Sequence, residues 1–479
     1  MTVGYRAHHA LLHVTPLTRR ITAGTLVLGA ILTLALAFSG DGGPTAGAPT
    51  TSATPIATPM WSARRVPQPI VDAVGAQHLQ AALDASVPAD GTCFLLATGS
   101  STLAVHNPDV PLIGASTQKI LVAAAALATL GRDFTYQTRA VAPAAPVGGS
   151  VERLWLVGAG DPVLATADYA AFVQAKDKTR GDVTTGLETL ADAIVSRGVR
   201  QIPGGVVADD SRYDTQRYVP TWKASYRTDG NIGPMGALTV NDGWRAWDPR
   251  KITVDDPGLY SATELTALLK TRGVVVGSAS RGAAPSSALE IAQVTSPKLG
   301  DIVASMLRSS DNLTAELLTK ELGARANGKG TTVDGVKAIM AEVKQLGVPT
   351  DNLTLIDGSG LDRGNRTTCR ILLSALALVD RRDHAVFQDG LPVAGQTGTL
   401  VDEFSGTALV GKLRGKTGTL DGVSGVTGVI DLGGPVSFAF IENGNFPEAA
   451  AAGIRVRFGG VIATYPDAPG ATDLVPAPG

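Results

Sequence analysis

Residues 111–131 read PLIGASTQKILVAAAALATLG, a polar tetrapeptide at the start of a segment that is apolar on nearly every side. The run after Lys119 is rich in alanine and leucine, which favour helix, and it ends at Gly131. A helix without a polar face is buried inside a domain. The sequence therefore predicts a central helix over 115–131 with Ser116 and Lys119 one turn apart on one face.

Strand-like segments near both ends of the chain surround this helix. CFLLATG and TLAVHN predict a hairpin before it, and GTALVGKLRGKTGT, GVTGVIDLG and VSFAFIENG predict strands near the carboxyl end. Residues 134–295 have shorter strands and amphipathic helices separated by Gly, Pro and Asp. We therefore expect an α/β (α+β) domain built from residues 70–133 and 296–463, whose sheet joins the two ends, with 134–295 inserted.

An uncharged stretch at 21–38, ITAGTLVLGAILTLALAF, predicts passage across a membrane. Its length lies at the border between a signal peptide and a spanning helix. Arginines precede it, so the positive-inside rule places residues 1–20 in the cytoplasm and the rest outside. The triplet at 35–37 offers a cleavage site, but the apolar run extends right up to it. We favour a retained anchor over a cleaved signal peptide.

Two segments and the bulk composition complete the outline. Residues 39–69 are rich in Pro, Thr, Ala and Gly and predict a disordered linker, while 464–479 predict a flexible tail. The net charge of -2 gives no basic excess for binding nucleic acid.

No histidine stands at ligand spacing from Cys93 or Cys369, so we expect no metal site. The two cysteines either pair, in an oxidising compartment, or remain separate buried thiols.

The tetrapeptide Ser116-Thr117-Gln118-Lys119 is the first of three motifs that carry chemistry. A serine hydroxyl is a poor nucleophile and needs a nearby base. Lys119 can take its proton if burial keeps the amine neutral, and the apolar run supplies that burial. Taken alone, such a tetrapeptide is also common at surface turns.

The second motif is Ser310-Asp311-Asn312. One interpretation is a helix cap, with Ser309, Ser310 or Asp311 at the N-cap position. In the other, Ser310 passes a proton to the leaving group and the Asn312 amide holds a substrate carbonyl. Both can hold together, because the start of a helix presents polar groups at the edge of a cleft.

The third motif is Lys416-Thr417-Gly418-Thr419, on a predicted strand. Lys416 and the threonine hydroxyls can bind a terminal carboxylate. Gly418 lacks a side chain, which predicts that substrate backbone lies against the strand edge. The N–H groups of Thr419 and Ser116 form a candidate oxyanion hole. The alternative is an ordinary edge strand with a bulge at the glycine.

In this order the three motifs form the pattern of class A β-lactamases and penicillin-binding proteins. From about residue 75 to 463 the chain resembles the D-alanyl-D-alanine carboxypeptidase/endopeptidase family of low-molecular-mass penicillin-binding proteins, the DacB type. The resemblance rests on PLIGASTQKI, LVGAGDPVL, SDNLTAELL, DGSGLDRGNR, GLPVAGQTGTL and GKTGTLDGVSG. It also rests on the large insertion between the first two motifs. Gln396 and Asp362 depart from the family's usual acidic residue and serine, which bears on substrate preference.

The resemblance implies a penicillin-binding-protein/β-lactamase-like transpeptidase domain and a serine-type D-Ala-D-Ala carboxypeptidase. Ser116 would form the acyl-enzyme with Lys119 as base, Ser310 and Asn312 would form the second cleft element, and residues 416–419 would bind the substrate. It further implies peptidoglycan stem peptides as substrates, β-lactams as covalent inhibitors and no cofactor. The location would be the wall side of the plasma membrane, anchored through residues 21–38 or secreted.

Other functions fit the same residues. A D,D-endopeptidase would cut peptidoglycan crosslinks with an identical site. A β-lactamase would need a base that activates water for deacylation, and the sequence identifies none. A non-catalytic wall-binding protein would have no use for a buried lysine beside a serine.

Overall fold

The computed structural model describes residues 68–176 and 183–466. The predicted cytoplasmic end and membrane segment, 1–38, lie outside the described residues, as do most of the predicted linker and tail. Residues 68–69 were predicted to belong to the disordered linker, but in the structure they begin helix Gln68–Ser86. Pro69 is compatible with the first turn of this helix, because a backbone N–H at that position would have no intrahelical partner. Within the described part of the chain, no helix combines the length and apolar character that crossing a membrane requires.

The α-helices of the described residues, in chain order, are α1 (Gln68–Ser86), α2 (Lys119–Leu130), α3 (Ala167–Lys176), α4 (Leu187–Ser196), α5 (Ser225–Thr228), α6 (Pro257–Thr271), α7 (Leu299–Ser309), α8 (Asn312–Asn327), α9 (Thr332–Gln345), α10 (Cys369–Gly390) and α11 (Ala451–Ile462). A 3₁₀ turn, Ala115–Gln118, leads directly into α2.

The strands, in the same order, are β1 (Thr92–Thr98), β2 (Ser101–His106), β3 (Gln137–Ala142), β4 (Leu154–Val157), β5 (Leu164–Ala165), β6 (Thr185–Gly186), β7 (Gln201–Ile202), β8 (Val206–Asp209), β9 (Trp244–Ala246), β10 (Ile252–Thr253), β11 (Val275–Val276), β12 (Ser280–Arg281), β13 (Leu289–Thr295), β14 (Leu413–Leu420), β15 (Val423–Asp431) and β16 (Pro435–Asn443).

The main sheet joins the two ends of the chain, as predicted. Its order is β14-β15-β16-β1-β2, and neighbouring strands run antiparallel. Alternation along β1 gives the sheet two apolar faces. Phe94 and Leu96 pack towards α1 and α11, where Phe440 stacks on Phe458 at 4.0 Å between ring centroids. Leu95 faces the opposite core, which is formed with the central helix α2 and with α7 to α10.

A disulfide between Cys93 and Cys369 ties β1 to the start of α10. This finding decides between the two interpretations of the cysteines. The bond spans 276 residues of chain, with 6.0 Å between the two Cα atoms. Closing so long a loop removes conformational entropy from the unfolded chain and stabilises the fold by on the order of 5 kcal/mol in the chain-entropy account.

The inserted residues build a second sheet with its own core. Its order is β12-β8-β4-β3-β13; β4 and β8 are parallel, and β3 pairs antiparallel with both β4 and β13. The amphipathic helices α4 and α6 bury their apolar stripes against it, through residues such as Leu190 and Leu265. The predicted fold class, a penicillin-binding domain with a large insertion between the first two motifs, therefore agrees with the observed arrangement.

One stretch of the insertion, residues 211–236, leaves the second sheet after β8 and packs on the domain that contains the main sheet; we call it the crossing segment. Arg212 forms a bidentate ion pair with Glu321 of α8, at 2.6 and 2.8 Å. Apolar side chains of the crossing segment pack in one cluster with residues next to all three motifs. The segment contributes Tyr213, Val219, Tyr226, Ile232 and Met235, and the residues they meet include Ala115, Leu313, Leu361 and Leu420. The insertion is thereby fixed against the region that holds the motifs.

Candidate active site

Ser116 and Lys119 form a hydrogen-bonded pair at the start of the central helix. The Nζ of Lys119 donates to the Oγ of Ser116 at 2.7 Å, and the lysine side chain is fully buried. Burial lowers the pKa of Lys119 to about 8, although the nearby carboxylates of Asp311, Asp357 and Glu316 oppose the shift. A substantial neutral fraction therefore exists near physiological pH, as the proton acceptor for a serine nucleophile requires.

The turn that presents Ser116 is held in an unusual backbone conformation. Ala115 has a φ of 47°, in the left-handed region that non-glycine residues rarely adopt. A Cβ on Gly360 would lie 2.1 Å from the Ala115 carbonyl oxygen, so only glycine permits this close approach. The strained turn directs the Ser116 hydroxyl towards the cleft and is fixed by the loop that contains Gly360.

Two further acceptors complete the surroundings of Lys119. Its Nζ donates to the Oδ1 of Asn312 and to the backbone oxygen of Ser359, each at 2.7 Å. The Nδ2 of Asn312 donates at 2.8 Å to the carbonyl of Asn231, in the crossing segment. That bond fixes which end of the Asn312 amide faces the lysine. Asn231 acts through its backbone, so no sequence signal could have identified it.

The second motif combines the two roles that the sequence left open. Asp311 is the N-cap of α8, with its Oδ1 accepting from the Thr314 N–H at 2.5 Å. Ser310 ends α7 in the left-handed conformation, with a φ of 60°. The sharp break between the two helices directs Ser310 and Asn312 into the cleft, while Asp311 caps the following helix.

Lys416 of the third motif is fully buried beside Ser310. Its Nζ donates to the Ser310 Oγ and to the Thr417 carbonyl, each at 2.8 Å. Burial, reinforced by the positive charges of Lys119 and Arg455, holds the pKa of Lys416 well below its usual value. A carboxylate brought into the cleft would oppose this shift and favour the protonated amine.

The strand β14 lies at the edge of the main sheet. Its odd-numbered residues direct their backbone N–H and C=O groups away from β15. The Leu413 carbonyl, for example, accepts from the Ala394 N–H, and the Gly415 N–H donates to the Pro392 carbonyl. By the same alternation, the N–H of Thr419 faces outwards, towards the cleft. The N–H of Ser116, in the first turn of its helix, likewise has no intrahelical partner.

Gly418 lies against the turn that carries Ser116. A Cβ at this position would lie 2.3 Å from the Gly114 carbonyl oxygen and 3.0 Å from Cγ2 of Thr117. The missing side chain therefore lets β14 approach the turn that carries the nucleophile. It thereby brings the first and third motifs together.

The two threonine hydroxyls of the third motif are held by residues outside it. The Oγ1 atoms of Thr417 and Thr399 are 2.7 Å apart. Arg455 of α11 donates from Nη1 to the Oγ1 of Thr419 at 2.9 Å, and it pairs with Glu403 at 2.5 and 2.9 Å. Arg455 lies 36 residues after Thr419 in an apolar helix, where no local pattern marks it.

A buried acidic pair braces the loop behind Lys119. The Oε1 of Glu316 accepts from the N–H groups of Gly358 and Ser359, at 3.0 and 2.7 Å. Asp357 accepts from the indole Nε1 of Trp222 at 2.7 Å and from the Asn365 amide at 2.8 Å.

Burial raises the pKa of both carboxyls. The loop that they brace contacts the lysine directly, because the Ser359 carbonyl accepts a hydrogen bond from Lys119 at 2.7 Å. Glu316 was missed, although it stands one helical turn after Asn312 on the same face.

All the predicted site residues lie around one cleft. Hydrogen bonds join Ser116 to Lys119, Lys119 to Asn312, and Lys416 to Ser310, while Gly418 packs against the nucleophile's turn. Over residues 68–176 and 183–466, no cluster of three or more His, Cys, Asp or Glu side chains is suited to a metal ion.

Residues 80–248 and 245–463 match the D-Ala-D-Ala carboxypeptidase 3 (S13) family. The chain belongs to this family. Its relatives include a carboxypeptidase of Mycobacterium tuberculosis, 33% identical over 350 residues that cover 70% of this chain and 72% of the relative. A D-alanyl-D-alanine carboxypeptidase of Actinomadura is 28% identical over 429 residues, covering 72% and 76%. The predicted resemblance and the predicted enzyme class, a serine peptidase, are thereby confirmed.

A solved structure from the same group supports the fold of this S13 peptidase. Penicillin binding protein 4 of Haemophilus influenzae superposes with a TM-score of 0.66 at 19% identity, covering 79% of this chain and 97% of that protein. At this identity the likeness concerns the fold alone.

Proposed function

We propose that this S13 peptidase removes the terminal D-alanine from peptidoglycan stem peptides through an acyl-enzyme on Ser116. The observation that carries the proposal is the 2.7 Å hydrogen bond between the Ser116 Oγ and the Nζ of a fully buried Lys119. Membership of the D-Ala-D-Ala carboxypeptidase family supports the same substrate. Relatives named as carboxypeptidases cover more than two thirds of this chain, which supports it further.

In the acylation step, neutral Lys119 takes the proton of Ser116 as Oγ attacks the carbonyl carbon of the penultimate D-alanine. The C–O bond forms, and the negative charge on the carbonyl oxygen is stabilised by the N–H groups of Ser116 and Thr419. The C–N bond then breaks. The proton returns to the leaving nitrogen by way of Lys119 and the Ser310 hydroxyl, so the terminal D-alanine departs as a neutral amine.

Deacylation repeats these steps with water in place of the leaving amine. The sequence identified no separate base for this step, and we assign it to Lys119, which takes a proton from the water molecule as the water oxygen attacks the ester carbon. The ester C–O bond breaks, and Lys119 returns the proton to the Ser116 oxygen. The products are a stem peptide shortened by one residue and the regenerated enzyme, with no cofactor in the cycle.

The substrate's terminal carboxylate is assigned to the side of the cleft formed by the third motif. Lys416 supplies positive charge there, and Thr417 and Thr419 supply hydroxyls. Because burial and like charges depress the pKa of Lys416, a bound carboxylate restores its protonated form. Substrates without a free terminal carboxylate would lose this interaction, which favours carboxypeptidase activity on stem ends.

The same proposal places the catalytic domain outside the cytoplasm. The disulfide between Cys93 and Cys369 is typical of oxidising compartments. The apolar segment at 21–38, preceded by arginines, supports export and attachment to the membrane. Fractionation of cells expressing the full chain, compared with a chain lacking residues 1–38, tests the attachment; recovery of the full chain in the soluble fraction would contradict it.

Intact-mass measurement after treatment with benzylpenicillin tests the chemistry. We expect a mass gain equal to one penicillin for the wild type and none for Ser116→Ala. Release of D-alanine from a pentapeptide stem should be lost in the same variant. A mass gain in Ser116→Ala, or an unlabelled and inactive wild type that is folded by circular dichroism, would refute the proposal.

A further inference from the structure

A second groove lies on the inserted module, away from the three motifs. Its volume is about 770 Å³, and it lies between the β9–β10 hairpin, α5 and the start of α6. Its lining includes two large apolar side chains that are open to solvent, Ile252 and Leu259, which are 38% and 36% exposed. Large apolar side chains open to solvent in a concave surface are typical of ligand-binding sites.

The rim of this groove carries an excess of positive charge. Its two acidic residues already have partners, since Asp255 pairs with Arg227 at 2.6 Å and Asp256 pairs with Arg281 at 2.8 Å. We call the site the cationic groove, after the three remaining cations of its lining: Arg245, Arg250 and Lys251.

None of these three cations forms an ion pair with a carboxylate of the described residues. Arg250 reaches only the Thr228 carbonyl, at 3.5 Å. Lys251 donates to the Gly230 carbonyl at 3.3 Å and lies 4.9 Å from the centre of the Trp244 ring. Arg245 is exposed at the rim. The groove therefore presents three positive charges that an anionic ligand can use.

A short piece of chain joins the cationic groove to the active site. Arg227 and Thr228 form one wall of the groove. Three residues after Thr228, the Asn231 carbonyl accepts the hydrogen bond of the catalytic Asn312. Three residues of extended chain span at most about 11 Å. The groove wall therefore lies within about 11 Å of the backbone group that orients Asn312.

We propose that the cationic groove binds a second stem peptide of the same wall polymer by its carboxyl end. The inference rests on the proposed function, because that function supplies a polymer with many peptides, each ending in alanine and a carboxylate. Arginine binds a carboxylate through two parallel hydrogen bonds, and the exposed Ile252 and Leu259 side chains offer apolar contacts for the alanine methyl groups. Occupying both sites raises the effective concentration of the next stem at Ser116 without any new contact in the cleft.

Charge reversal in the groove tests the proposal. The variant is Arg245→Glu/Arg250→Glu, and the matched control is Arg381→Glu/Arg382→Glu, which reverses two exposed arginines on α10. The substrates are soluble glycan strands that carry many pentapeptide stems, and a single free pentapeptide. We expect kcat/KM on the strands to fall about tenfold in the groove variant, with less than a twofold change on the single peptide and none in the control.

Two further measurements separate the possible failures. Binding of the strands to Ser116→Ala, with and without the groove substitutions, reports on the groove even if catalysis fails. Labelling of Ser116 by fluorescent penicillin should be unchanged by the groove substitutions. Equal strand binding with and without them would overturn the inference, as would an equal loss on the single peptide. Stronger competition by polyphosphate than by alanine-terminated peptides would also overturn it, since the groove would then recognise phosphate.

Discussion

The Nδ2 of Asn312 donates at 2.8 Å to the backbone carbonyl of Asn231, which joins the catalytic domain to its insertion at the active site itself. The other end of the same amide accepts from Lys119 at 2.7 Å. A hydrogen bond from the inserted module thus orients the Asn312 amide, to which we assign a catalytic role. The insertion is a structural part of the cleft, and its crossing segment buries apolar side chains beside all three motifs.

The first prediction concerns the pH dependence of acylation. Burial lowers the pKa of Lys119 to about 8, and only the neutral amine can accept the serine proton. The rate of labelling by fluorescent penicillin should therefore rise with pH between about 6.5 and 8 and level off above about 9, as the neutral fraction saturates. Stopped-flow or quenched labelling at constant ionic strength measures the profile.

A lysine on the surface provides the control for this base. Lys119→Met should lower the labelling rate by about 10³-fold, within the range that a general base contributes. Lys344→Met, on the exposed side of α9, should leave rate and profile unchanged. A rate independent of pH from 6 to 10 in the wild type would show that Lys119 is not the proton acceptor.

The second prediction tests why Gly418 is a glycine. In Gly418→Ala the new Cβ would meet the Gly114 carbonyl at 2.3 Å, so the strand and the nucleophile's turn must separate. We expect a loss of about 1–3 kcal/mol in unfolding free energy, typical of overpacking. Acylation should slow as well, because the Thr419 N–H moves with the strand. Chemical denaturation and penicillin labelling measure the two effects.

Gly434→Ala is the matched substitution for this comparison. Gly434 lies in the turn between β15 and β16, and an added Cβ there has no heavy atom within 4 Å. This variant should keep both the stability and the labelling rate of the wild type. If Gly418→Ala behaves in the same way, the contact with Gly114 does not determine the distance between the motifs.

The sequence predicted the fold and the three motifs because their signals are local. A serine and a lysine one turn apart at the head of an apolar helix, and an alternating strand with K-T-G, can be recognised within a few residues. The residues that hold these groups in place could not be recognised from short sequence patterns. Asn231 contributes a backbone carbonyl, and Arg455 reaches Thr419 from a helix far along the chain. Such contacts depend on tertiary packing, which short patterns do not encode.

Gly418 illustrates a second limit. The pattern correctly indicated a position that tolerates no side chain, but not which neighbour excludes it. In the folded chain that neighbour is the Gly114 carbonyl. The cysteines illustrate a third limit, since pairing depends on the distance between β1 and α10, which only the fold determines.

The third prediction concerns the disulfide. Replacing both cysteines, Cys93→Ala/Cys369→Ala, should lower the unfolding free energy by about 2–5 kcal/mol because the unfolded chain gains freedom. Neither cysteine belongs to the three motifs, so labelling of Ser116 at 25 °C should persist. Urea denaturation monitored by tryptophan fluorescence, with intact-mass confirmation of the wild-type bond, measures the change. Equal stability of the two proteins, with the bond present in the wild type, would contradict the prediction.

The last prediction concerns Arg455 as a positioning residue. Its guanidinium holds the Thr419 hydroxyl at 2.9 Å and lies 3.4 Å from the Gly418 carbonyl, so it steadies the peptide unit whose N–H faces the cleft. Removing it in Arg455→Met should lower kcat by about 10- to 100-fold, less than the loss of an oxyanion-hole donor itself.

KM for a pentapeptide stem should change less than kcat, because the donor acts mainly on the transition state. Arg455→Lys should restore part of the rate, since a cation remains beside Glu403. Arg457→Met, two residues along on the exposed face of α11, is the control and should be silent. A parallel rise in KM with unchanged kcat would place Arg455 in substrate binding instead. Loss of stability with a normal kcat in the folded fraction would make its role purely structural.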